Sequence, residues 1–262
     1  LTPENFNVRE YTHYGSAELP AFRWNEGVFF VQRQARRFRE IGYDISRETY
    51  AAADLTRLAE HITASGIRQI DFQVGREPYV WAALNDGRLL SFHYSREERL
   101  SSWAQHYTTG GEFRSAVVLS NNTQDDDIFL TVKRGGSYFL ERLAPDAQTV
   151  QETETAADSI HLDRSKSGTT NGSGDFSGLD HLEGETITYL AEGVPDTATV
   201  ASGTISTDKP NVTIHAGIPI ISTLTTLPLD TNLSNGPSLG RKKRASKILI
   251  DFYRSRGGKI IY

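Results

Sequence analysis

Two apolar runs, Tyr79-Val80-Trp81-Ala82-Ala83-Leu84 and Arg88-Leu89-Leu90-Ser91-Phe92-His93-Tyr94, flank the triplet Asn85-Asp86-Gly87. Asp-Gly between apolar runs is a strong β-hairpin signal, because the tight reversal needs positive φ and glycine adopts it without steric cost. In the second run Leu90, Phe92 and Tyr94 fall on one face of a strand. This pair commits its part of the chain to antiparallel sheet. Further strands are expected at 113–119, 128–133 and 138–143, joined by the polar loop 121–127 and by Gly135-Gly136. Upstream, Val28-Phe29-Phe30-Val31-Gln32-Arg33 reads as a strand, and Arg36-Arg37-Phe38-Arg39-Glu40 continues the alternation. Short strands in succession, punctuated by turns, predict a meander of the kind found in sandwiches, barrels and propeller blades.

One stretch reads differently. Asp54 stands where an N-cap belongs, Ala51, Leu55, Leu58 and Ile62 recur at helical spacing, and Ser65-Gly66 supplies a stop. A short amphipathic helix is therefore expected near 54–64. Composition shifts after residue 145, where acidic residues and the Gly/Ser/Thr/Asn-rich tract 168–178 predict a linker or loop over 146–178. A second β-rich module follows at 179–230, with strands at 186–190, 197–205 and 212–214. The division is thus a β-rich domain over 1–145, a linker over 146–178, a small β-barrel over 179–230, and a loop and strand over 231–262 that return to the first domain.

Composition narrows the chemistry. With no cysteine, the chain has no disulfide, thiolate nucleophile or cysteine zinc site. A net charge of −5 argues against a surface that grips nucleic acid throughout, and no apolar run approaches the length of a membrane span. Methionine is also absent; the opening Leu1-Thr2-Pro3 and the closing Lys259-Ile260-Ile261-Tyr262 read as cuts from a longer protein. The run Asp125-Asp126-Asp127 lacks the spacing of a calcium loop, and the seven histidines form no metal-ligand pattern. The 172–178 tract lacks the lysine and hydroxyl residue of a P-loop, and no Gly-x-Ser-x-Gly elbow is present. No cofactor is expected. Asp180, Glu183 and Glu185 leave a glycan hydrolase open as one alternative, and stacked β modules leave a carbohydrate- or receptor-binding module as another. The basic cluster Arg241-Lys242-Lys243-Arg244 is the best candidate for contact with DNA or a neighbouring subunit.

A set of motifs then runs in order along 24–255. They are Asp54-Leu55-Thr56-x-Leu58-Ala59-x-His61-Ile62, Pro78-Tyr79-Val80-Trp81 through Asp86-Gly87-Arg88-Leu89-Leu90-Ser91-Phe92-His93-Tyr94, and Arg96-Glu97-Glu98-Arg99. Trp103-x-x-His106-x-Thr108-x-Gly110, Phe113-Arg114-Ser115-Ala116-Val117-Val118, the stretch from Gly178-Leu179-Asp180 to Glu185-Thr186-Ile187, and Gly240-Arg241-Lys242-Lys243-Arg244 complete it. Together they resemble the bacteriophage tail nozzle, or tubular tail protein B, family of phages and prophages. Residues 179–230 are also similar to the small barrel of the first-catalytic-cysteine half-domain of ubiquitin-activating enzymes, a likeness of shape alone in a chain without cysteine.

The nozzle resemblance implies a structural virion protein with no catalytic cycle. It implies a mainly β ring subunit, commonly hexameric, at the distal end of the tail, assembled in the cytoplasm of the bacterial host. Its implied partners are other copies of itself, the adaptor and portal complex, tail fibres, and the genomic DNA that passes through, with no membrane span. The chain is much shorter than a full nozzle subunit.

Overall fold

The computed structural model describes residues 9–24, 27–74, 78–98, 100–121, 126–144, 160–223, 232–233, 236–237, 247 and 249–250. Four strands, β1 (Phe22–Trp24), β2 (Gly27–Val31), β3 (Phe38–Asp44) and β4 (Thr49–Asp54), pair in chain order as an antiparallel meander. β5 (Ile67–Gln73), β6 (Tyr79–Leu84), β7 (Leu89–Ser95) and β8 (Leu100–His106) repeat the arrangement as a second sheet. β9 (Glu112–Leu119), β10 (Asp127–Arg134) and β11 (Ser137–Arg142) make a third. The expected hairpin joins β6 to β7: Gly87 sits at φ 86°, and its amide donates to Leu84 O at 3.2 Å. Glycine is required there twice over, since a Cβ would also lie 2.6 Å from Glu112 Cβ.

Alternation decides how the sheets stack. Phe29, Val31 and Phe38 from the first sheet meet Ile70, Val80, Ala82, Leu90 and Phe92 from the second in one core. The opposite residues of the second sheet, Trp81 and Leu89, meet Phe113, Ala116, Ile128, Leu130 and Val132 of the third. The second sheet is therefore apolar on both faces, which explains why Val80-Trp81-Ala82-Ala83-Leu84 reads as a continuous apolar run. The three meanders lie one upon another like blades.

The expected helix near 54–64 does not form, and no helix of seven or more residues occurs among the described residues. Ala51 and Asp54 belong to β4, where Ala51 pairs with Gly42 and Asp54 with Arg39. The rest is a chain of tight turns, with Ala59 N donating to Thr56 O and Ile62 N to Ala59 O. Asp54 does accept the Thr56 amide and hydroxyl, as a cap would, but it is also bound by Arg37. Burial opposes the charge of this carboxyl, and those hydrogen bonds overcome it, leaving the pKa below the ordinary value. Leu58, assigned to the buried stripe, is 96% exposed.

The second module begins earlier than expected. β12 (Leu162–Thr169) and β13 (Asp175–Ser177) occupy part of the stretch read as a linker. β14 (Thr186–Ala191), β15 (Val194–Thr199), β16 (Thr204–Ser206) and β17 (Thr213–Pro219) complete it. The main sheet runs β12-β17-β14-β15, and β13 pairs with β16 apart from it. No sheet closes into a barrel, so the barrel expected over 179–230 is an open sheet with a separate ladder beside it. The run expected as one strand over 197–205 breaks at the Ala201–Thr204 turn, which turns β16 out of the β15 ladder and onto β13. Phe176, Leu182, Ile187, Ile205 and Ile214 fill the space between. Beyond it, β18 (Asn232–Leu233) and β19 (Gly236–Pro237) form a minimal ladder.

Two substitutions separate the buried stack from the turn segment. Phe92→Ala, which empties a fully buried site between the first two sheets, should cost about 3–5 kcal/mol. Leu58→Ala should change stability by no more than about 0.5 kcal/mol, as for an exposed surface site. Chemical denaturation midpoints of the two variants check both.

Candidate functional site

Polar side chains in this protein mostly serve its own backbone. Gln69 and Asp71 of β5 accept the amides of Ala116 (3.3 Å) and Val118 (2.7 Å), which occupies donors on the outer edge of β9. Asp126 accepts Val74 N at 2.8 Å, and Asp127 binds Arg142, so two members of the aspartate run hold loops and strands. Asp125 lies outside the described residues. Glu183, from the acidic group at 180–185, accepts both Ser202 N (2.9 Å) and Gly203 N (2.7 Å) and closes the turn that leads into β16. A shallow groove of about 520 Å³ lies beside β12 and the β13–β16 ladder, lined by Lys166, Asn171, Asp175, Phe176 and Thr204. Its carboxylate accepts Ser206 and Asn171, and its lysine donates to the carbonyls of Ser177 and Gly178.

Among the described residues, two serines lie within hydrogen-bond distance of a histidine ring. Ser167 Oγ lies 2.6 Å from His215 Nδ1, with His215 buried. Ser91 Oγ lies 2.8 Å from His106 Nε2, and the His106 ring rests 5.4 Å from Trp81 on the face that receives the third sheet. Burial pushes the His106 pKa below its ordinary value.

Exposed apolar side chains gather, among polar ones, at the two ends of the stack. The outer face of the third sheet presents Val117 and Leu119 from β9, Phe129 from β10, and Tyr138 and Leu140 from β11, together with Asp127, Thr131, Lys133 and Arg142. Leu140 is 75% and Tyr138 64% exposed. The outer face of the first sheet presents Val28, Ile41, Tyr43 and Tyr50, with Tyr43 opposite Tyr50. Tyr11 from the preceding arm adds an edge-on ring 4.9 Å from Tyr50, and Arg39 lies 3.5 Å from the centre of the Tyr14 ring. Tyr11, Tyr43 and Tyr50 thus gather on one side of the first sheet. Sequence reasoning did not point to the third-sheet face. The available signal was Ala116-Val117-Val118-Leu119, a run apolar on both sides of its strand like that of β6.

Trp81 and Phe113 lie in the core between the second and third sheets, and Trp103 packs against the core between the first and second while donating to Leu55 O at 3.0 Å. Arg241, Lys242, Lys243 and Arg244 lie outside the described residues. No helix among the described residues is long and apolar enough to cross a membrane. No family model matches this chain, and no curated protein matches it either.

His106 gives a pH signature for the joint between the second and third sheets. A histidine whose folded pKa is depressed favours the neutral form, so its contribution is fully present above the unfolded value of about 6.5 and is lost as pH falls through the lower folded value. Melting temperatures taken from pH 8 down to pH 5 should fall more steeply for the native chain than for His106→Gln. Parallel curves would assign the imidazole no such role.

Proposed function

We propose that this chain is a structural subunit of a ring at the distal end of a phage tail, of the nozzle type, working through shape and assembly. The observation that carries the reading is a stack of three antiparallel sheets whose outer faces expose Tyr43 and Tyr50 at one end and Val117, Leu119, Tyr138 and Leu140 at the other, among polar residues. Such a body is a rigid plate with two sites for joining other plates, which is what a closed ring asks of its subunit. The ordered motifs between residues 24 and 255 support the same assignment. So does the charge of −5, since a conduit that lets DNA slide is better served by repelling phosphates than by capturing them.

In this reading the ring docks beneath the adaptor and portal complex, seats tail fibres, and encloses the path of the genome in the virion. The cluster Arg241-Lys242-Lys243-Arg244 contacts either that DNA or the neighbouring subunit. Negative-stain images of the purified chain should contain closed rings, and incubation with cell-wall or capsular glycan should release no product. Monodisperse single subunits that liberate sugar would overturn the reading in favour of a tail-borne hydrolase. Replacing all four cluster residues with glutamate should lower assembly or DNA delivery by about tenfold or more, as expected when several phosphate or carboxylate contacts become repulsive. Unchanged assembly and delivery would remove the cluster from the interface.

A further inference from the structure

The turns of the first two meanders sort by charge. Three of them meet at one end of the stack: the β2–β3 turn over 32–37, the turn segment over 55–66 that leads into β5, and the β6–β7 hairpin turn over 85–88. Hydrogen bonds stitch them to one another. Ile67 N donates to Ala35 O at 2.6 Å, the Thr63 hydroxyl to Arg36 O at 2.8 Å, Asn85 N to Gly66 O at 3.0 Å, and the Arg88 guanidinium to Ile62 O at 3.0 Å. Residues 32–37, 55–68 and 85–88 hold six arginines, no lysine and two acidic residues. Both acids are already engaged, Glu60 by Arg37 at 2.7 Å and Asp86 by Arg88 at 2.7 Å. Arg33, Arg36, Arg57 and Arg68 are exposed, and their guanidinium groups make no ion pair or hydrogen bond among the described residues. The opposite end, with the β3–β4 turn and the turn after β7, carries Asp44, Glu48, Glu97 and Glu98, while its Arg47 and Arg96 are paired with Asp44 and Glu40. Uncompensated positive charge thus collects at one end of a chain whose net charge is −5.

We infer that this end binds the phosphodiester backbone of duplex nucleic acid, without regard to base sequence. Like charges on loops tied together repel one another, and a polyanion laid across them removes that cost. Arginine suits the role, since its planar fork grips phosphate oxygens in pairs. Leu58 is the one large apolar side chain that these loops expose. The surface therefore has the polar, positive character of a contact with DNA rather than the aromatic and aliphatic anchors of a contact with protein. Because the loops are held by the bonds named above, little backbone ordering opposes binding. The inference is independent of the ring reading, and the acidic remainder of the chain confines the duplex to this end.

Fluorescence anisotropy of a labelled duplex about 20 base pairs long, titrated with the full chain between about 50 and about 200 mM salt, tests it. R36Q/R57Q/R68Q removes three of the cations, and E97Q/E98Q is the control at the opposite end. All five positions are exposed, so both variants should keep the native far-UV spectrum. The native chain should bind at low salt and weaken steeply as salt rises. The triple variant should bind about tenfold or more weakly, with a log–log salt slope shallower by about 2.7, at about 0.9 per lost phosphate contact. E97Q/E98Q should bind no more weakly than the native chain. Absence of native binding at low salt, or equal binding by the native chain and the triple variant, would overturn the inference. So would a loss confined to variants of 241–244, which moves the contact to that cluster, or tighter binding of polyglutamate than of the duplex, which assigns the surface to an acidic protein. Closed rings in negative-stain images alongside any of these results would leave the ring reading standing.

Discussion

Everything in the first module depends on the second sheet being wettable on neither side. Its strands place Val80, Ala82, Leu90 and Phe92 toward one neighbour and Trp81 and Leu89 toward the other, all less than 9% exposed. Phe92 lies 4.3 Å from Trp103 and 5.6 Å from Phe38 by ring centres, so the first joint is largely aromatic. Burial of this kind is nondirectional, and rings alone would allow the sheets to slide. A polar seam fixes their register. Glu40 of β3, 4% exposed, accepts the hydroxyl of Tyr94 in β7 at 2.7 Å and pairs with Arg96 in the turn that follows. Gly27 makes room for it, since a Cβ there would lie 2.5 Å from the Glu40 carboxylate. A buried carboxylate is costly without partners, so the sheets are held at the one offset that supplies them.

The joint between the two modules obeys the same logic with polar groups alone. β12 bulges between Asp163 and Lys166, and Arg164 within the bulge adopts φ 54°, a left-handed conformation that residues with a Cβ enter only at a cost. The bulge turns Asp163 toward the end of β8, where it accepts the Thr108 hydroxyl at 2.9 Å and the Thr109 amide at 2.6 Å. Arg134, from β10, lies 3.9 Å from the same carboxylate and also binds Glu141. One aspartate therefore touches the second sheet's exit, the third sheet and its own module.

The strands and hairpins were legible because alternation and Asp-Gly are local signals whose physical causes lie within a few residues. The turn segment was not, because Ala51, Leu55, Leu58 and Ile62 satisfy a helical period by position while their destinations differ. Ala51 is claimed by the β3 ladder, Ile62 by the core, and Leu58 by solvent. The strand β12 was hidden by its composition. It is a polar edge strand that needs only backbone pairing with β17, so neither face carries an apolar signature. Closure of the second module was equally illegible, since it turns on whether β16 stays in the β15 ladder or leaves it at Ser202-Gly203, and Glu183, nineteen residues back by the Ser202 contact, decides that. The third-sheet face required knowing that β9 lies at the end of a stack.

That last point turns on how β9 is held. A sheet can extend at an edge, through unpaired amides, or at a face, through apolar side chains. On the third sheet the β9 edge is occupied where Gln69 and Asp71 hold Ala116 N and Val118 N. These two bonds do more than block an edge. They tie β9 to β5 and so join the third sheet to the second through polar groups as well as through its apolar core.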